Sequence, residues 1–203
     1  MTVWLLRHGM TACNAERRYQ GRRMDPPLSP EGEQALKAAN FEAETVYTSP
    51  LRRAIRTAEI LFPKARLETV ADLAEMDFGD FDGRTAEEMA ENPAYRGWVE
   101  QGCETRCPNG ETRAEFCART CHAFAALTEQ AKAEGKERLV IVAHSGTQRA
   151  VLERFSELPC GYFDLRPPFG GGYVLAYDAA LWQRERKLRL LHEVCFAEGA
   201  GPC

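Results

Sequence analysis

Short apolar stretches alternate with amphipathic stretches over most of the sequence. The apolar stretches are rich in β-branched and aromatic residues, and their length and pattern predict strands at 2–7, 45–49, 66–70, 138–144, 172–178 and 187–196. The amphipathic stretches predict helices at 29–41, 50–62, 111–135 and 146–158. Strand 138–144 is the most strongly apolar, which suits the middle of a sheet that is covered on both faces.

Local residue chemistry supports some of these boundaries. Ser29 is a preferred N-cap residue, and Pro30 follows it at the first helical position. Gly135 closes the long helix. Residues 71–110 are less regular, and within them we expect one short helical piece near 85–92.

The alternation of strands and helices predicts an α/β fold of three layers, with a mostly parallel central sheet between helices. The 203 residues suit a single domain over 1–203. In such sheets, ligands bind beyond the carboxyl ends of the strands. Strongly polar residues follow three of the predicted strands at that edge: Arg7 and His8, then Arg52 and Arg53, and finally His144.

The composition of the chain argues against some classes of binding partner. The net charge is −4 and the basic residues are dispersed, so we expect no nucleic acid and no membrane surface as a partner. No stretch approaches the roughly 18 apolar residues of a membrane helix, and the apolar run before Arg7 is too short for a signal peptide. We therefore expect a cytoplasmic protein in which a local cluster of cations attracts an anionic ligand.

Eight cysteines raise the question of a metal centre. Cys103, Cys107, Cys117 and Cys121 form two C-x3-C pairs, a spacing loosely compatible with zinc. Cys117 and Cys121 lie four residues apart on a predicted helix, however, and buried free cysteine is a common small hydrophobic residue. We therefore expect no metal and, in a reducing compartment, no structural disulfide.

The strand ends supply the groups that phosphate chemistry needs. The planar guanidinium of an arginine binds phosphate oxygens in pairs, and Arg7 together with Arg52 or Arg53 would provide two of them. A neutral imidazole accepts a phosphoryl group as a nucleophile, while the arginines stabilise its charge. Asn14 and the backbone N–H groups around Ser145 would add donors. Glu75, in the irregular segment, is the candidate that protonates the leaving oxygen.

The sequence lacks the residue patterns that several other kinds of site need. No acidic cluster has the spacing of a magnesium site, and no G-x-G-x-x-G suggests a dinucleotide. The glycine-rich stretch 169–173 lacks the lysine of a phosphate-binding loop and predicts a turn. We therefore expect no cofactor and a small-molecule phosphate ester as the substrate.

Five stretches carry a resemblance to a known family. LLRHGMTACN (5–14) resembles the R-H-G-x-T-x-x-N signature of the histidine phosphatase superfamily, in its phosphoglycerate mutase-like branch. Four further stretches resemble later motifs of that family, in the same order: RYQGRRMDPPLSPEGEQA (18–35), TSPLRRAIRTA (48–58), LAEMDFGDFDG (73–83) and VIVAHSG (140–146). The resemblance covers most of the chain and implies a phosphoglycerate mutase-like fold.

The resemblance also implies a role for each matched residue. His8 would be the phosphorylated nucleophile and Glu75 the proton donor. The residues that would bind the phosphoryl group or line the substrate pocket are Arg7, Arg53, His144, Asn14, Gln20 and Gly21. Two positions depart from the family pattern, because Met10 and Asp82 stand where glutamate is usual. Neither change removes a catalytic group, but the change at position 10 alters the charge beside the pocket.

The family contains both phosphatases and mutases. A mutase must hold a second anionic group and shield phosphohistidine from water, which takes additional basic residues in the covering segment, 76–115. The arginines of that segment are scattered among acids, which favours a metal-independent phosphatase. A cofactor-dependent phosphoglycerate mutase and an alpha-ribazole phosphatase of cobalamin biosynthesis stay open as alternatives. A binding module without turnover is a weaker alternative, and a homodimer is left open.

Overall fold

A six-stranded sheet forms the middle layer of the computed structural model, which describes residues 1–198. The strands are β1 (Thr2–Arg7), β2 (Thr45–Thr48), β3 (Arg66–Thr69), β4 (Arg138–Ala143), β5 (Gly171–Ala176) and β6 (Arg189–Cys195). Their order is β3-β2-β4-β1-β5-β6. Neighbours from β3 to β1 pair in parallel, whereas β5 is antiparallel to both of its neighbours. The predicted α/β fold with a mostly parallel sheet is confirmed.

The helices of the described residues cover this sheet. They are α1 (Ala12–Ala15), α2 (Pro30–Ala35), α3 (Arg52–Leu61), α4 (Pro93–Glu100), α5 (Arg113–Ala133), α6 (Ser145–Phe155) and α7 (Ala179–Glu185). Two short 3-10 helices, Ala71–Leu73 and Gly79–Phe81, lie in the irregular segment.

Alternate residues of the central strands serve two hydrophobic cores. Val3 and Leu5 of β1 pack with residues of α5, α6 and α7 on one face of the sheet. Leu6 of β1 packs with residues of α3 on the other face. Because side chains alternate across a strand, the nearly continuous apolar runs of β1 and β4 supply both cores.

The helix predicted at 29–41 is wrong beyond Ala35. Leu36 is buried, has an extended backbone, and forms an antiparallel bridge with Ala197 near the other end of the chain. This long-range pairing replaces the hydrogen bonds that a continued helix would make. The sequence pattern could not reveal it, because the partner lies far away along the chain.

The irregular segment after β3 contains a helix that the sequence pattern missed. The helical piece expected near 85–92 is wrong, since these residues form turns, and α4 begins directly after them at Pro93. Asn92 is its N-cap residue and accepts hydrogen bonds from backbone N–H groups of the first turn. Tyr95 and Trp98 then anchor α4 in a third hydrophobic cluster, which ties the segment to the rest of the domain.

The remaining predicted elements lie within a few residues of the observed ones. The helices predicted at 50–62, 111–135 and 146–158 are α3, α5 and α6, whereas α1 and α7 were not predicted. The turn predicted at 169–173 is confined to its first two residues, because β5 begins at Gly171. Within residues 1–198, no helix is long and apolar enough to cross a membrane.

Candidate active site

Two histidines lie side by side at the carboxyl edge of the sheet. His8 directly follows β1 and His144 directly follows β4, and these two strands pair in parallel. Their ring centroids are 5.2 Å apart and both side chains are buried. Parallel pairing therefore brings together two residues that are far apart in the sequence, at the edge where ligands bind in such sheets.

The hydrogen bond at Nδ1 fixes the tautomer of His8. Nδ1 lies 2.7 Å from the carbonyl oxygen of Gly9, and a carbonyl only accepts, so Nδ1 carries the proton and Nε2 keeps its lone pair. Burial, with the positive charges of Arg53 and Arg7, holds the pKa of His8 well below its usual value. The imidazole is therefore neutral at physiological pH.

His144 is also a neutral, buried imidazole. Its Nε2 lies 2.7 Å from the hydroxyl of Ser49, whereas its Nδ1 is buried and has no hydrogen-bond partner among residues 1–198. Burial is the main cause that holds the pKa of His144 well below its usual value, and the charge of Arg53 adds to it. Within the described residues, one ring nitrogen of His144 thus keeps an unused hydrogen-bonding position.

The two candidate phosphate-binding arginines are held in different ways. Arg7 donates to the carbonyl of Pro167 at 2.8 Å, and its guanidinium lies 3.7 Å from the ring centroid of Phe169. Arg53 is fully buried and uses its terminal nitrogens on three backbone carbonyls. Its Nε has no partner within the described part of the chain. Burial lowers the pKa of Arg53 to about 10, so it remains a cation at neutral pH.

Thr11 orients two amide side chains at once. Its backbone N–H donates to Oδ1 of Asn14 at 3.1 Å, and its hydroxyl lies 2.6 Å from Oε1 of Gln20. Because each amide oxygen faces Thr11, each amide NH2 is left for other partners. Asn14 and Gln20 both line the cavity described below, so their orientation makes them donors to an anion.

Glu75 is held against the N-terminus of α6. One carboxylate oxygen accepts from the backbone N–H of Met76 at 3.0 Å, and the other accepts from the N–H of Gly146 at 3.2 Å. A Cβ on residue 146 would lie 2.2 Å from the Glu75 carboxylate. Glycine at this position therefore lets the carboxylate approach the helix terminus.

A cavity of about 310 Å³ joins most of these groups. Among the predicted site residues it is lined by Arg7, His8, Asn14, Gln20, Glu75 and Ser145. Gly21, Arg53 and His144 are buried and are not among its lining residues. The lining residues that the sequence analysis did not identify are Arg18, Tyr19, Phe78, Gly146, Arg149 and Tyr162.

The sequence contains a signal for some of these additional lining residues and none for others. Tyr19 directly precedes Gln20 and Phe78 follows Glu75 by three residues, both within motifs of the family resemblance, and their ring centroids are 5.2 Å apart. Arg149 lies one helical turn after Ser145, so the helix places both on one face. Tyr162 lies in an irregular stretch between α6 and β5, where no pattern points to the cavity.

A larger groove, of about 750 Å³, lies between α5 and α6 and contains neither histidine of the site. Cys117 and Cys121 line it, and burial raises their pKa values to about 11 and about 12, so neither thiol is a nucleophile at neutral pH. In the described part of the chain, no group of three or more metal-ligating side chains is arranged around a metal position. The chemistry therefore places the candidate active site in the smaller cavity.

Comparison with known proteins gives consistent matches over most of the chain. A model of the histidine phosphatase superfamily (branch 1) matches residues 3–185. "Probable phosphoglycerate mutase GpmB" of Klebsiella pneumoniae is 34% identical over 170 residues, which are 78% of this chain and 76% of that protein. "Uncharacterized phosphatase PhoE" of Bacillus subtilis is 32% identical over 161 residues, which are 76% and 77% of the two chains.

The fold is similarly matched among solved structures. The alpha-ribazole phosphatase of Shigella flexneri superposes with a TM-score of 0.77 over 99% of this chain and 98% of that chain. The two sequences are 23% identical, so this likeness concerns the fold alone.

Proposed function

The chain belongs to branch 1 of the histidine phosphatase superfamily, and we propose that it is a metal-independent phosphatase that hydrolyses a small phosphate monoester through phosphohistidine on His8. The observation that carries this proposal is the hydrogen bond between Nδ1 of His8 and the Gly9 carbonyl. It leaves Nε2 as a bare nucleophile, and the depressed pKa of the buried ring keeps it unprotonated.

The phosphoryl group would lie between the arginines and the second histidine. Arg7 and the free Nε of Arg53 would stabilise charge on its oxygens. If the Ser49 hydroxyl donates to Nε2 of His144, then Nδ1 of His144 carries the proton and becomes a further donor. Such neutral and cationic donors suit a dianionic ester without a metal ion.

Donors from two other elements would complete the oxyanion site. The amide groups of Asn14 and Gln20 face the cavity, because Thr11 holds their oxygens. The N-terminus of α6, at Ser145, directs its helix dipole towards the same space. Together they would bind the oxygens that the arginines do not reach.

The reaction would proceed in two displacements. Nε2 of His8 attacks phosphorus, the P–O bond to the alcohol breaks, and Glu75 gives its proton to the leaving oxygen. Water then attacks the phosphohistidine, the P–N bond breaks, and Glu75 takes the proton from water. Inorganic phosphate leaves and both side chains return to their starting states.

The covering segment favours hydrolysis over phosphoryl transfer between two positions of one substrate. We propose that 76–115 covers the site of a single domain, and this segment contributes Phe78 but no arginine to the cavity wall. Its Arg96 and Arg106 form ion pairs with neighbouring glutamates instead. A mutase remains the second candidate because Arg149 lines the cavity without a carboxylate partner among residues 1–198, and it could receive a second anionic group.

The first experiment measures phosphate release by the purified protein in EDTA. The substrates are p-nitrophenyl phosphate, alpha-ribazole phosphate and 3-phosphoglycerate, and formation of 2-phosphoglycerate with trace bisphosphoglycerate is followed in parallel. We expect phosphate release without isomerisation, and the fastest ester identifies the substrate class. Fast isomerisation with little release would instead identify a mutase.

The His8→Ala variant tests the nucleophile. Removal of the imidazole should lower kcat by at least about a thousandfold without loss of the fold, because no second histidine is among the described residues that line the cavity. The matched control is His122→Ala, which removes an exposed histidine of α5 outside the cavity. Substantial turnover by the His8 variant would contradict the phosphohistidine route.

A further inference from the structure

A short backbone segment, residues 20–24, is clamped between two charged side chains. On one side, the guanidinium of Arg53 donates to the carbonyls of Met24 at 2.8 Å, Gly21 at 3.2 Å and Gln20 at 3.3 Å. On the other side, Oδ1 of Asp82 accepts the backbone N–H of Gly21 at 2.5 Å. Bonds to ionised groups are about twice as strong as bonds between neutral groups.

The clamp is tight enough to exclude a side chain at position 21. A Cβ on Gly21 would lie 2.3 Å from the backbone oxygen of Met76 and 2.7 Å from Oδ1 of Asp82. Glycine therefore allows the backbone of residues 20–24 to approach the Asp82 carboxylate closely. The contact joins residues that are 61 positions apart in the chain.

The clamped segment carries part of the cavity wall. Gln20 and the preceding Tyr19 line the cavity, and the amide of Gln20 is oriented by its contact with Thr11. A shift of the Gly21 backbone would move the Cα of Gln20 with it. The position of a donor in the active site thus depends on groups that do not line the cavity.

We infer that Asp82 is a positioning residue, whose ionised carboxylate, together with Arg53, fixes segment 20–24 and thereby holds Gln20 at the substrate cavity. The consequence for turnover rests on the proposed phosphatase activity. The consequence for the Gly21 backbone does not, and the two are measured separately below.

The surroundings of Asp82 make this clamp sensitive to pH. The carboxylate is half-buried, and its Oδ2 has no hydrogen-bond partner in the described part of the chain. Burial raises the pKa of Asp82 to about 6. The Gly21 N–H bond and the charges of Arg53 and Arg23 oppose this rise in pKa, Asp77 adds to it, and the thiol of Cys107 lies nearby.

Protonation of Asp82 would weaken its interaction with the Gly21 N–H and with the charge of Arg53. A neutral carboxyl is a weaker acceptor for the Gly21 N–H, and it no longer balances the charge of Arg53. Asn at position 82 imitates this neutral state with nearly the same shape. The variant Asp82→Asn should therefore behave at every pH as the wild-type protein behaves below about pH 6.

The test compares kcat/KM of wild type and Asp82→Asn for p-nitrophenyl phosphate from about pH 5 to about pH 8. The ratio of the two values cancels the titration of the substrate and of all shared groups. We expect the ratio to lie near one at the acid end and to rise about tenfold through a midpoint near pH 6. Asp80→Asn, an exposed carboxylate two residues away, is the matched control and should give a ratio that does not change with pH.

The second readout is hydrogen exchange of the Gly21 amide at neutral pH, which needs no turnover. We expect faster exchange in Asp82→Asn than in wild type and in Asp80→Asn. A ratio of kcat/KM that is independent of pH, or unchanged exchange at Gly21, would overturn the positioning role. If the wild-type protein releases no phosphate, the proposed function fails, and the exchange measurement alone decides whether Asp82 holds the segment.

Discussion

Thr11 shows how one small side chain can organise several donors. Its hydroxyl accepts from the backbone N–H of Asn14 at 3.2 Å and lies 2.6 Å from the amide oxygen of Gln20. It is also the N-cap residue of α1. The same hydroxyl therefore fixes the start of a helix and the direction of an amide in the cavity.

The Thr11→Val variant should lose activity through substrate binding. Valine keeps the volume but leaves the oxygen of Gln20 unpaired, so we expect KM to rise about tenfold and stability to fall by about 1 kcal/mol through loss of the cap. The measurements are steady-state kinetics and urea unfolding. Thr48→Val is the control, because Thr48 is buried in β2 and its hydroxyl has no partner within residues 1–198. An unchanged KM in the Thr11 variant would show that Gln20 does not need this contact.

The N-terminus of α6 works as a unit with the loop that carries Glu75. Its second residue, Gly146, donates a backbone N–H to the carboxylate and leaves room for it. Helix placement, rather than the glutamate alone, therefore fixes where the Glu75 carboxylate lies.

The Gly146→Ala variant should impair turnover more than folding. The added Cβ would lie 2.2 Å from Oε1 of Glu75 and 3.0 Å from Phe116, so the carboxylate must move. We expect kcat to fall by about tenfold or more. Gly97→Ala is the control, because a Cβ there meets only one atom, at 3.9 Å, inside α4, and should stabilise the fold by about 0.5–1 kcal/mol. Equal kcat values for the two variants would contradict this account of Glu75.

Two helices show where the periodicity of apolar residues no longer predicts the bounds of an element. The start of α2 could be predicted from Ser29 and Pro30, because N-capping is a local interaction. Its end could not, because Leu36 leaves the helix to pair with Ala197. Helix α4 was missed because it is short and its apolar face packs on a cluster assembled from distant segments.

The buried titratable groups together set how the stability of the folded protein depends on pH. His8 and His144 have lowered pKa values in the folded protein, chiefly through burial, so only the unfolded chain binds protons there as the pH falls below about 6.5. Asp82, with its pKa raised to about 6 by burial, acts in the opposite direction. In mild acid the unfolded chain thus takes up protons at the two histidines that the folded protein does not bind, and Asp82 offsets part of this difference.

This balance predicts that the protein loses stability in mild acid. The free energy of unfolding should fall as the pH is lowered from about 7.5 to about 5. Urea unfolding at about pH 7.5 and about pH 5 measures it. In Asp82→Asn the opposing contribution of Asp82 is absent, so the free energy of unfolding should fall more steeply as the pH is lowered. Equal unfolding free energies of the wild-type protein at the two pH values would contradict the prediction.

The amino-acid sequence was sufficient to predict the strands, the mostly parallel sheet and the polar residues that follow its strands at the carboxyl edge. These features depend on local periodicity and on residues directly adjacent to a strand, such as Arg7, His8 and His144. Only the tertiary structure determined that the terminal nitrogens of Arg53 donate to segment 20–24, that Asp82 accepts from the same segment, and that Tyr162 lines the cavity. The reason is physical: each of these contacts joins residues that are distant along the chain, and its energy depends on burial that no local pattern encodes.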